Sequence, residues 1–150
     1  GVEVLRSFGQ VRLAPPEPAD YRFALSAPGW YPIPGASSSI SLELQEVTES
    51  TPKPGYNTEG SGLDWGRLTG ALELRNWQPG DQYHPVGRRT ETRIKELFQR
   101  ARIPLWERRK WPIITSGGVI VWSRQFGAAA GYAATAASRR VLMVHEQVRA

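Results

Sequence analysis

The chain is 150 residues long, 40% apolar and 22% charged, with no cysteine and a net charge of +5. That balance describes one ordinary globular domain or two small lobes, and it excludes a disordered chain, a disulfide framework and any thiolate site. No run approaches the roughly 20 apolar residues of a membrane-spanning helix, and no basic and apolar leader is visible. The expectation is a soluble, cytoplasmic protein with no membrane partner.

Twelve Pro and fifteen Gly imply many short elements joined by turns. From Gly1 onward the pattern is β-like. The segments VRLA (11–14), YRFALS (21–26) and ISLELQEV (40–47) alternate apolar and polar side chains, with Ile40, Leu42 and Leu44 on one face. Between them APPEPAD, APGWYPIPGAS and TPKPGYNTEGSG read as breaks. The last marks a boundary between a β-rich N-terminal lobe, or the end of a preceding region (1–70), and a second domain (71–150). LDWGRL is a turn, and ALELRNW is a strand with Leu72 and Leu74 inward. QPGDQYHPVG is a loop.

One convincing helix follows, predicted over 91–102. Thr90 is placed to cap it, and Ile94, Leu97, Phe98 and Ala101 form a stripe at i, i+3, i+4 and i+7. Ile103-Pro104 ends it, because a residue before proline avoids the helical region. LWERRKW adds a helical turn, and PIITSGGVIVWS is a hairpin turning at Gly117-Gly118. GAAAGYAATAAS reads as a strand with a bend, and RRVLMVHEQV as a final strand.

Charge is distributed unevenly. Residues 88–124 hold ten bases and three acids, a net +7, whereas residues 1–70 hold five bases and eight acids, a net −3. Arg88, Arg89, Arg93, Lys95, Arg100, Arg102, Arg108, Arg109 and Lys110 precede, line and follow the one helix. A plain solvated face, with Glu96 pairing Arg100 at i,i+4, is the modest reading. Three features favour a polyanion instead: the flanking clusters, the excess of Arg over Lys, and the interleaved Tyr83, Trp106 and Trp111. Asp81 in PGD reads as a turn cap, and two histidines without ligand or triad spacing carry no chemistry. Trp77 and Trp122 are the expected core tryptophans. SGGV lacks the Asp-Ser and the strand-to-helix setting of a pyrophosphatase phosphate loop. No catalytic residue and no metal ligand is assigned.

From Arg75 onward the order of motifs resembles the C-terminal domain of bacterial tRNA(Ile)-lysidine synthases. The resemblance rests on Arg75, Pro79-Gly80-Asp81, Pro85, Gly87, the RIKELF run 93–98, ARIP at 101–104, Glu107-Arg108 and Pro112-Ile113-Ile114. It weakens through the Gly/Ala-rich segment and covers residues 1–70 poorly. What it implies is an α/β (α+β) fold: a β-rich N-terminal portion, then a compact mixed-sheet domain with one main helix, similar to a module of the phenylalanyl-tRNA synthetase β chain. It also implies a non-catalytic grip on a tRNA acceptor stem by the nine bases named above. The implied partners are tRNA, a catalytic N-terminal domain of the same chain and a possible homodimer. The ligase attaches lysine to the wobble cytidine of a minor isoleucine tRNA. Its ATP and Mg would belong to that catalytic domain, with no cofactor in this chain. The competing reading is a protein-interaction or oligomerisation module with a solvated basic face.

Overall fold

The computed structural model describes residues 3–7, 10–14, 20–47 and 62–148. The TPKPGYNTEGSG break therefore lies outside the described residues, apart from its final Gly62. In chain order the strands begin with β1 (Glu3–Ser7) and β2 (Gln10–Ala14), an antiparallel hairpin. Next come β3 (Arg22–Leu25), β4 (Gly29–Pro32), β5 (Ser38–Glu46) and β6 (Gly62–Asp64), the last running into a 3-10 turn at Trp65–Arg67. β7 (Leu72–Asn76) precedes a two-residue pair, β8 (Gln82–Tyr83) with β9 (Thr92–Arg93). The helices α1 (Ile94–Ala101) and α2 (Leu105–Arg108) follow. The rest is β10 (Pro112–Ser116), β11 (Val119–Ser123), β12 (Gly127–Ala128) and β13 (Arg140–Val148).

Two antiparallel sheets carry the fold, in the orders β12-β11-β10-β7-β3 and β4-β5-β13-β6. Each contains strands from both sides of residue 70: β3 pairs with β7, and β5 pairs with β13 along its whole length. The expected division at 70/71 therefore cuts through both sheets. Alternation in those early strands is completed by partners that come after it.

The alternation places Ile40 and Leu42 of β5, Leu142 and Val144 of β13, and Leu72 and Leu74 of β7 in one apolar cluster between the sheets. The other face of the five-stranded sheet packs against α1. There Ile113 and Ile120 meet Ile94, Leu97, Phe98 and Trp111. The middle sheet is thus apolar on both faces, which is why all of β10 is buried. A bulge at Ile114/Thr115 of the β10–β11 ladder locally shifts the register. The result is α+β, with one main helix stacked on two sheets. No helix among the described residues is long and apolar enough to cross a membrane.

The Gly117-Gly118 hairpin turn forms as expected, with both residues at positive φ (57° and 86°). A second glycine makes its seating possible. Gly70, at φ 85°, lies so close that an added Cβ would meet the Gly117 Cα at 2.8 Å. Ser116 Oγ donates to the Thr69 carbonyl and the Gly117 N–H to the Ala71 carbonyl, pinning the turn there. Gly70→Ala combines φ strain with a backbone collision and is expected to cost roughly 2–3 kcal/mol. Gly118→Ala, at positive φ but in open space, should cost only about 1–2 kcal/mol. Thermal denaturation of the two variants side by side tests the difference, and equal losses would refute the close-approach account.

Candidate nucleic-acid interface

The basic helix is set in place by its stripe. Ile94, Leu97 and Phe98 are all buried, leaving Lys95, Glu96, Gln99 and Arg100 exposed. Its start differs from the sequence reading. Thr90 is not the N-cap: Thr92 and Arg93 are extended against Gln82 and Tyr83, and the helix begins at Ile94 without a side-chain cap. The Asp81 carbonyl accepts the Ile94 N–H at 3.0 Å, so a strand pairing serves in place of the expected cap. The end is as read. Arg102 turns left-handed (φ 57°), its N–H and that of Ile103 donate to Gln99 and Phe98 carbonyls, and Pro104 opens α2.

The loop before the helix is pinned by the Asp81 side chain. Its carboxylate accepts two bonds from Arg75, at 2.8 and 3.0 Å, and one from the Gln78 N–H at 2.8 Å. The turn-cap reading holds, with Arg75 as an added partner. His84 Nε2 is hydrogen-bonded to the Arg88 carbonyl, holding the backbone that presents Arg88 and Arg89. Asp81 and His84 are both engaged in structural hydrogen bonds. Among the described residues no three His, Cys, Asp or Glu side chains are grouped as metal ligands.

Of the nine bases expected on this surface, Arg88, Arg89, Arg93, Lys95, Arg100, Arg102 and Arg109 are exposed. Two are employed otherwise. Arg108 is 4% exposed: its Nε donates to the Ile103 carbonyl and its guanidinium lies 5.4 Å from the centre of the Phe98 ring. Burial pushes its pKa below the usual arginine value. Lys110 is half-buried, its Nζ donating to the Gly35 carbonyl at 3.1 Å. Ion pairs among the described residues join Arg67 to Asp64, Arg75 to Asp81, Arg124 to Glu146 and Arg140 to Glu46. The expected Glu96–Arg100 pair is not among them.

The aromatic residues also sort differently. Tyr83 and Trp111, read as stacking groups, are core: the Tyr83 hydroxyl donates to the Gly127 carbonyl and Trp111 Nε1 to Ser123 Oγ. Trp122 is buried as expected, whereas Trp77 is half-buried with its ring edge-on to Phe98. Trp106 alone of the three stands at the surface, half-buried in the wall of an open pocket of about 550 Å³. That pocket brings Lys95, Arg108 and Arg109 together with Asp20, Asn76 and Gln78. The last three are invisible as site residues in the sequence. Asp20 reaches the pocket because Asn76 Nδ2 donates to it across 56 positions of chain, and no local spacing announces such a contact.

Residues 72–145 match the family model described as the TilS substrate C-terminal domain. Over 149 residues the chain is 50% identical to the tRNA(Ile)-lysidine synthase of Solibacter usitatus, covering 97% of this chain and 34% of that protein. It is 25% identical over 130 residues to the tRNA(Ile)-lysidine synthase of Symbiobacterium thermophilum, covering 81% of this chain and 27% of the relative. A crystal structure of the TilS C-terminal domain superposes with a TM-score of 0.73 at 26% identity, covering 87% of this chain and 98% of that one. The similarity thus extends well before residue 71, where the motifs alone suggest that it fades. The chain spans between about a quarter and a third of the length of these curated relatives.

Proposed function

We propose that this chain, which belongs through residues 72–145 to the family of TilS substrate C-terminal domains, is the non-catalytic tRNA-holding part of a tRNA(Ile)-lysidine synthase. In that enzyme a separate N-terminal domain uses ATP to attach lysine to the wobble cytidine of a minor isoleucine tRNA. ATP and Mg belong to that domain on this reading. Gly117-Gly118 turns between two strands and opens no helix, unlike a pyrophosphatase phosphate loop.

The observation that supports the proposal is the seven exposed bases that precede, line and follow α1. A duplex RNA stem hides its base edges in a deep, narrow groove and is gripped through phosphates and 2′-hydroxyls. Bases before the helix, along it and after it suit successive phosphates. They fix position and read no sequence. The competing reading, an interaction or oligomerisation module, leaves the same bases to solvent and predicts binding that scarcely responds to salt.

Filter binding of tRNA at several salt concentrations separates the two. Phosphate neutralisation makes log K fall linearly with log salt, by about 0.7–0.9 for each phosphate neutralised. Reversing Arg93 and Arg100 to Glu is expected to weaken binding roughly 10- to 100-fold and to flatten the slope by about one for each phosphate left without its cation. Both residues lie off the apolar stripe, so the denaturation midpoint should hold. Parental affinity in the double variant would sink the assignment of this face.

A further inference from the structure

The exposed bases answer to a phosphate backbone, but the pocket beside them contains groups such a backbone does not need. Trp106, Asp20, Gln78, Lys95 and Arg109 line one open space of about 550 Å³, a volume within the range of small-ligand sites. Lys95 and Arg109 would suffice for a phosphate, and a carboxylate among them opposes it. Asp20 is nevertheless held there. Asn76 Nδ2 donates to its Oδ1 at 2.8 Å, and Asn76 is itself oriented by the Tyr21 N–H donating to its Oδ1 at 2.8 Å. Hydrogen bonds from Asn76 and Gln78, with the charge of Arg109 nearby, hold the Asp20 carboxyl below the usual carboxylate range. It is therefore an ionised group that can only accept.

An indole, an acceptor and two cations in one pocket match the parts of a nucleotide. A base stacks on the indole, its exocyclic amine donates to the carboxylate, and its phosphate meets the ammonium and guanidinium. A base inside a duplex is covered on both faces and cannot reach the indole, so the nucleotide must be unpaired. We propose that this pocket takes one unpaired nucleotide of the bound RNA, its base carrying an exocyclic amine, so that cytosine, adenine or guanine is accepted and uracil is not. The proposal rests on the RNA-holding function argued above. In a tRNA the single strand that continues from the acceptor stem, the 3′ terminus, is the source closest to a grip on that stem.

The test compares this chain's affinity for a tRNA with an intact 3′ single strand and for the same tRNA trimmed flush with its stem, at fixed salt. Trimming is expected to weaken binding roughly 5- to 100-fold, the range of one stacked base. Trp106→Ala should lose about the same factor on intact tRNA and bind trimmed tRNA as the parent does, which also shows that the variant is folded; Trp106→Phe should keep most of the affinity. Asp20→Asn should abolish the preference for the natural terminus over one rebuilt with uridines. Equal affinity of the parent for intact and trimmed tRNA overturns the pocket while leaving the RNA grip standing. So does an equal loss on both RNAs in Trp106→Ala. Failure of both RNAs to bind with any salt dependence overturns the grip itself and the pocket with it.

Discussion

Truncating Phe98 to Ala is expected to lower stability by about 3–5 kcal/mol, the usual cost of removing a buried Phe ring. The surroundings give no reason for a milder loss. Phe98 is fully buried, and its ring meets Trp77 and Trp111 edge-on at 5.2 and 5.1 Å, with Phe126 at 6.1 Å. Large rigid rings collapse poorly into a cavity. The guanidinium of Arg108 would also lose the ring beneath it while remaining buried. At about 2–4 °C per kcal/mol for a chain of this size, the thermal midpoint should fall far enough to measure easily. Affinity for tRNA, measured where the variant is still folded, should be nearly unchanged, because no exposed base belongs to this cluster. An unchanged midpoint with lost affinity would mean that Phe98 serves as a surface stacking group and that α1 is wrongly oriented.

Asp81→Ala is expected to cost about 3 kcal/mol through a different term. The Arg75 and Asp81 side chains are 11% and 13% exposed, so removing the carboxylate leaves a guanidinium mostly out of water with two donors unmet. The Gln78 N–H loses its acceptor in the same step. Because breaking such a pair costs more than never having it, the double variant Arg75→Leu/Asp81→Leu should recover part of the loss. Urea midpoints of the single and double variants test this. A single-variant cost below about 1 kcal/mol would place the pair among surface bridges of little consequence. The same carboxylate fixes the loop whose backbone carbonyl meets the first N–H of α1. Loosening of Arg88 and Arg89 should therefore accompany the lost stability.

How much of this is legible in the sequence depends on the range of the interactions. The stripe of α1, the alternation in β5 and β7 and the Gly-Gly hairpin are local patterns, and each appears where the periodicity places it. The start of α1 escapes such a reading because Thr90 has good capping chemistry, yet a two-residue strand pairing reaches past it. β4 lies in a segment that reads as a break, since Gly29 and Pro32 bracket its aromatic pair. It is an edge strand, where proline costs nothing on the solvent side. Exposed bases can be counted from a sequence, but a buried one cannot. Arg108 sits in a run of three bases and differs from Arg109 through the ring and the carbonyl that tertiary packing brings to it. For the same reason a core Trp111 and a surface Trp106 look alike in the sequence.

The pairing of β5 with β13 also governs how the chain comes off the ribosome. Glu46 and Arg140, opposite ends of one ladder register, are 94 positions apart. At about 5–20 residues per second, β5 waits roughly 5–20 s for the strand that completes its sheet. During that interval its inner face, Ile40 and Leu42, has only the short β4 alongside and nothing to cover it. Closing so long a loop makes folding slow, and an exposed apolar strand edge in the meantime is a template for other chains. A nascent chain of this design depends on what shields it during synthesis. The acidic excess of its first seventy residues, which keeps like segments apart, is the protection written into the sequence itself.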